Sequence, residues 1–191
     1  RGHRRNDRRR GMMGAMFVLY AVLVGLVAGR LLGGRVANLG TLRIGWAPVA
    51  VVGLAIQLVL FSEPGAAFAG SAAPAVYVAS SALVFAVVLR NLAVPGLPLV
   101  AIGAASNLLA IIANGGFMPA DPGAVAALGG REVSGYSNSV VVDDPALRPL
   151  TDIFALPPWL PLANVFSLGD VAIAVGIAVA IAVGMRNRTT G

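Results

Sequence analysis

The chain has no cysteine, no lysine and a single histidine, His3, in 191 residues. The missing cysteine excludes disulfides, thiolate metal sites and thiol catalysis. With its one imidazole in an Arg-rich start, the rest of the chain has no histidine base and no histidine metal cage. Charge is also scarce, at 12% of residues, and acidic side chains number only eight. Neither a glycine-rich phosphate loop nor a metal-ligand spacing is present, so neither a metal nor a cofactor is expected. All 14 basic residues are arginine. Together with abundant Ala, Gly and Val, this usage points to a GC-rich bacterial genome.

What the chain has instead is apolar length. Hydrophobic residues make up 58% and the mean hydropathy is +0.84. A soluble domain of this size could not hide so much apolar surface, whereas lipid solvates it. Five runs almost free of charge cover 12–29, 44–61, 73–89, 97–113 and 168–185. At about 1.5 Å per residue, each approaches the ~30 Å hydrocarbon thickness of a bilayer. The expected fold class is therefore all-α integral membrane. It is a bundle of five transmembrane helices in one membrane domain (12–191), with a long outer loop, 114–167, between helices four and five.

The short loops set the expected orientation. Arg30, Arg35 and Arg43 lie between the first two runs, Arg90 follows the third, and Arg186 and Arg188 follow the fifth. Five spans put all six on one side, the cytoplasm, together with the C-terminus, in a bacterial plasma membrane. The long loop carries Arg131 and Arg148 against Asp121, Glu132, Asp143, Asp144 and Asp152, a net of −3, and faces outward. The net charge of +6 resides mostly in helix-flanking positions and in six arginines of residues 1–10. Orientation in lipid explains it, and a nucleic-acid partner is not expected.

Those six arginines disagree with the orientation, and two readings stand. Either residues 1–11 are upstream sequence read in frame, since a purine-rich ribosome-binding site encodes Arg and Gly runs before Met12, Met13 and Met16. Or the tail is native, with a tilted first span or an extra re-entrant element. A signal peptide fits less well, because 12–29 is long and lacks a small-x-small cleavage site.

The connections 33–42 and 63–71 read as tight and Gly-rich, and the fourth span is expected to start near Pro95. Within the outer loop, 121–128 suits a short helix and 133–144 an exposed polar loop. The segment 153–166, interrupted by Pro157, Pro158 and Pro161, suits the membrane interface, anchored by Trp159. Gly25, Gly29 and Gly33, and Gly176, Ala180 and Gly184, form small-residue rows that let helices approach closely, within the bundle or across a homodimer seam.

Polar residues gather near the outer ends of the spans: Gln57, Asn107, Asn114, Asn164 and Asp170. A carboxylate in lipid costs on the order of 3 kcal/mol by insertion scales, which makes Asp170 a functional candidate. The competing structural readings are specific. Ser167-Leu-Gly-Asp170 has the spacing of a capping box. Asn107 and Gln57 are suited to interhelical hydrogen bonds. Asn114-Gly115-Gly116-Phe117-Met118-Pro119 suits a helix C-terminus as well as an anion-binding nest.

Three patches resemble an uncharacterised bacterial multi-pass membrane family, domain of unknown function 5317. They are Gly29-Arg30 with Asn38-Leu39, the Asn114–Pro119 run, and Asn164-Val165-Phe166-Ser167-Leu168-Gly169-Asp170. The resemblance implies a membrane architecture and carries over no activity. A second, partial resemblance links Asp170-Val-Ala-Ile173-Ala-Val-Gly176 to the last-helix motif of lipoprotein signal peptidases. Asn107-Leu108 resembles the residues before that family's other catalytic Asp, but Ala110 stands at the acid position. An aspartic dyad needs two neighbouring carboxyl groups; Asp152 supplies the second only if the outer loop folds back over Asp170.

Three functions follow. The first is a non-enzymatic carrier or accessory subunit with an outward polar pocket for a lipid or small solute, lined by Gln57, Asn107, Asn114, Asn164 and Asp170. The second is a membrane aspartic hydrolase using Asp170 and Asp152. The third is a structural subunit. The expected partners are membrane lipids, other membrane subunits or further copies of the chain.

Overall fold

The computed structural model describes residues 13–128, 139–161 and 163–186. The arginine-rich start, Arg131, Glu132, the first part of the 133–144 loop, and Arg188 lie outside the described residues. Among the described residues there are seven α-helices and four short strands. The helices are α1 (Met13–Leu31), α2 (Ala47–Leu60), α3 (Glu63–Ala69), α4 (Ala73–Arg90), α5 (Leu97–Ala113), α6 (Pro122–Ala127) and α7 (Leu168–Arg186).

The five long helices coincide with the five apolar runs. Proline sits in the first turn of α2, α3, α4, α5 and α6, where its missing amide hydrogen has no intrahelical acceptor to lose. By length and composition, two helical stretches suffice to cross a membrane, Glu63–Arg90 and Leu168–Arg186. Three shorter apolar helices accompany them, Val18–Leu31, Ala47–Leu60 and Leu97–Ala113.

Both short connections are more ordered than their glycine content suggests. Residues 63–71, expected as a tight turn, form α3 and part of a 3-10 turn. Ser62 caps α3 by accepting the Gly65 amide at 3.2 Å, and Pro64 fits its first turn. The first connection contains a 3-10 helix, Val36–Thr41. Helix α5 starts at Leu97, near Pro95 as expected, and Gly96 before it takes a positive φ of 91° that sets the entry angle.

The long helices pack as neighbours in the order α1, α7, α5, α4, α2. Their register gives their directions. Gly25 meets Ala178 and Gly29 meets Met185, so α1 and α7 run parallel. Gly96 meets Gly176 and Gly103 meets Gly169, so α5 and α7 are antiparallel. Helix α2 is likewise antiparallel to α4: Gln57 bonds Ser81, while Leu60 and Tyr77 share one buried cluster with Ala73, Ala110, Ile111 and Met118.

One end of this row collects arginine. The Met185 carbonyl at the end of α7 accepts from the Arg35 amide at 2.8 Å and from Asn38 Nδ2 at 2.7 Å. Arg90 lies over the Trp46 ring, 5.8 Å from its centroid. The other end carries the segment between α5 and α7. There β1 (Met118–Ala120) pairs in parallel with β2 (Ser139–Val141), and β3 (Phe154–Ala155) pairs antiparallel with β4 (Val165–Phe166). The expected helix at 121–128 is present as α6. The proline-broken stretch 153–166 forms the β3–β4 hairpin, whose loop leaves Trp159 78% exposed. Tyr20 on α1 donates its hydroxyl to the Pro161 carbonyl in that loop.

Candidate functional site

The polar centre of the helix row lies where α5 and α7 touch. Gly103 and Gly169 face each other so closely that a Cβ on Gly103 would stand 2.3 Å from the Gly169 carbonyl. A Cβ on Gly169 would stand 1.9 Å from Asn107 Oδ1. The absent side chain at 169 is therefore the space that the Asn107 amide occupies. Asn107 Nδ2 donates to Asp170 Oδ1 at 2.7 Å.

The rest of the centre is local to the start of α7. The Ser167 amide donates to Asp170 Oδ2 at 2.9 Å, and the Asp170 amide donates back to Ser167 Oγ at 3.1 Å. This is the reciprocal capping box that the spacing announced. The Ser167 hydroxyl, fully buried, stands 3.0 Å from Asn107 Oδ1 and 2.9 Å from Asp170 Oδ2. It has one proton to give to either. Both carboxylate oxygens thus receive donors from the chain itself, and the acid sits at the positive end of the α7 dipole.

The other candidates have different partners. Gln57 Nε2 bonds Ser81 Oγ at 3.2 Å on the α2–α4 seam. Asn114 caps α5: its Nδ2 donates to Ala110 O at 2.8 Å and to Ala146 O at 2.9 Å, while its Oδ1 accepts from the Ala146 amide at 2.9 Å. Asn164 is half-buried, and its carbonyl accepts from the Leu156 amide at 2.9 Å. Asp152 is 4% exposed; its amide donates to Pro119 O, and its carbonyl accepts from the Asp121 amide.

Sequence reasoning missed Asn91 as a structural residue, and it repeats the Asn114 arrangement at the opposite end of the row. Asn91 caps α4, donates to Val87 O at 2.7 Å and Gly45 O at 2.9 Å, and accepts from the Gly45 amide at 2.7 Å. In each case a C-terminal asparagine holds its own helix's carbonyl four residues back and pairs with the backbone of a distant loop. Recurrence of Asn within two residues of the end of an apolar run was the available signal.

On the segment between α5 and α7, Asp121 caps α6 through the Gly123 and Ala124 amides and forms an ion pair with Arg148 at 3.0 Å. The Ala124 amide, then the Arg148 guanidinium, hold the Asp121 carboxyl below the usual carboxylate range. Among the described residues, no three His, Cys, Asp or Glu side chains are grouped to hold a metal ion.

Residues 41–182 match the model of a family described as a family of unknown function (DUF5317). No curated protein and no solved structure matches the chain.

Proposed function

The chain belongs to that family of unknown function, and from this premise we propose that it is a non-enzymatic, five-span protein of the bacterial plasma membrane. Its spans are α1, α2, α4, α5 and α7, its C-terminus is cytoplasmic, and its 114–167 segment faces outward. There it serves a lipid or a small solute as a carrier or accessory subunit.

The observation that carries this reading is the apolar surface left uncovered by packing. Leu23, Val24 and Val27 on α1, Val51 and Leu58 on α2, and Ile102 and Leu109 on α5 are all more than half exposed. In water such surface costs roughly 25 cal/mol per Å²; in hydrocarbon that cost vanishes. Two further features support it. The helix directions fit successive crossings, since α1 and α7 are parallel while α2 and α5 oppose their neighbours. The arginines Arg30, Arg35, Arg43, Arg90 and Arg186 mark one end, as a cytoplasmic boundary requires.

The hydrolase alternative is weaker because the direct partner of Asp170 is the Asn107 amide, where a dyad needs a second acid. It rests on Asp152, which sits in the outer segment at the same end of the row. Asp170→Asn abolishing a cellular phenotype while Asp152→Asn leaves it intact supports the non-enzymatic reading.

The absence of cysteine makes the topology test clean. Gly40 has nothing within 4 Å of a built Cβ, and Val141 is 51% exposed. In intact cells a membrane-impermeant maleimide should label Val141→Cys and spare Gly40→Cys until the membrane is permeabilised. The reverse pattern, or full recovery of the chain without detergent, overturns the proposal.

A further inference from the structure

A groove of about 430 Å³ opens on the outer segment, lined by Asp121, Arg148, Pro149 and Ile153. Arg148 and Pro149 belong to the 3-10 turn Arg148–Leu150, which packs against both α5 and α7. The groove therefore sits directly above the outer ends of two apolar helices, at the height of lipid headgroups if these helices span. Pro149 and Ile153 give it apolar walls. Arg148 and Asp121 give it one fixed charge of each sign, 3.0 Å apart.

The two charges are not exhausted by each other. Arg148 has five N–H donors in a planar fork. Among the described residues, Asp121 engages its Nη2, and the side chain is 63% exposed. A phosphodiester matches the remaining donors, because guanidinium reads two phosphate oxygens at once. Asp121 Oδ1 is occupied by the Gly123 and Ala124 amides, while Oδ2 accepts only the one Arg148 hydrogen among the described residues. A second acceptor position on Oδ2 suits a primary ammonium. The described charges of the segment, Arg148 against Asp121, Asp143, Asp144 and Asp152, are net acidic and favour a ligand that brings a cation along with its phosphate.

We propose that this groove holds the headgroup of a zwitterionic aminophospholipid, its phosphate on Arg148 and its ammonium on Asp121, with the first carbons of its chains against Pro149 and Ile153. This assignment rests on the outward, membrane-facing orientation proposed above, and it names the lipid class for that surface. A purely anionic phospholipid shares the phosphate but meets Asp121 with no compensating charge. Inorganic phosphate shares the anion but leaves the apolar walls unused.

The test uses the full-length chain purified in nonionic detergent and titrated with three probes: dihexanoyl phosphatidylethanolamine, dihexanoyl phosphatidylglycerol and inorganic phosphate. The ethanolamine lipid should bind best. Arg148→Gln should weaken it about tenfold, the loss expected for one charge-assisted contact. Asp121→Asn should erase its advantage over the glycerol lipid, and Arg186→Gln at the opposite end should change nothing. If Arg148→Gln proves unstable, Arg148→Lys retains the charge and should still lose part of the affinity. Unchanged binding in the Arg148 variants, equal binding of the two lipids, or saturation by inorganic phosphate overturns the assignment. The labelling of Val141→Cys separates the two failures. Exposure to the cytosol overturns the orientation, whereas exposure outside with equal binding of all three probes overturns the groove alone.

Discussion

The α5–α7 seam and the α2–α4 seam are both antiparallel contacts between apolar helices, yet they are built differently. The α2–α4 seam uses one glycine, Gly53, whose added Cβ would meet Val84 Cγ2 at 2.9 Å, and one amide–hydroxyl bond, Gln57 to Ser81. The α5–α7 seam uses backbone against backbone at two levels, Gly96 with Gly176 and Gly103 with Gly169, and then locks the register with Asn107, Ser167 and Asp170. The contrast teaches that small residues only permit close approach. A polar group satisfied across the gap selects which close approach is made.

That comparison can be broken most directly at the glycines. Gly96→Ala should cost about 3 kcal/mol, combining a positive φ with a Cβ 2.1 Å from the Gly176 carbonyl. Gly53→Ala should cost less, because its φ is not positive and its nearest clash is the movable Val84 methyl at 2.9 Å, with the Ser80 carbonyl further off at 3.1 Å. Unfolding by SDS in mixed micelles measures both, and equal losses would remove the distinction between the seams. Next in size, Asn91→Ala should cost about 1 kcal/mol, since it removes the buried bond to the Val87 carbonyl, while the exposed Gly45 backbone can turn to water.

A double-mutant cycle sharpens the comparison at smaller scale. Asn107→Ala and Asp170→Ala should couple by about 1 kcal/mol, whereas Gln57→Ala and Asp170→Ala should be additive within about 0.3 kcal/mol. Coupling between Gln57 and Asp170 would mean that the polar candidates act as one pocket.

The smallest expected effect lies in the segment between α5 and α7. Asp121 has a folded carboxyl below its unfolded value, so its contribution is present above the unfolded pKa, near 4, and fades as pH falls through the folded one. The thermal midpoint should drop with acidification below about pH 4, and the drop should shrink in Asp121→Asn and in high salt.

Much of the helical layout was legible because nearly charge-free runs of 17 or 18 residues have few other solutions. The capping box was legible because its two partners lie three residues apart. Two of the five polar candidates, Asn107 and Asp170, meet directly, though they are 63 residues apart in the chain. The interhelical role of Gln57 and the helix-end role of Asn114 were legible as readings, but their partners were not. Gln57 found a serine, and Asn114 found a loop backbone at Ala146. Asn38 and Asn91 were not singled out as anchors because their targets are main-chain atoms, which every residue offers. The β3–β4 hairpin escaped because its strands are two residues each and its prolines read as interruption rather than as a loop.

The order of residues alone decided that this chain carries long, all-round apolar helices and collects arginine beside their ends, since these depend only on which side chains follow one another. Which helix lies beside which, and which asparagine meets the aspartate, was decided by the fold. In uniformly apolar helices every face is chemically alike, so the pairing is settled by where two backbones can touch and where a buried polar group finds its partner.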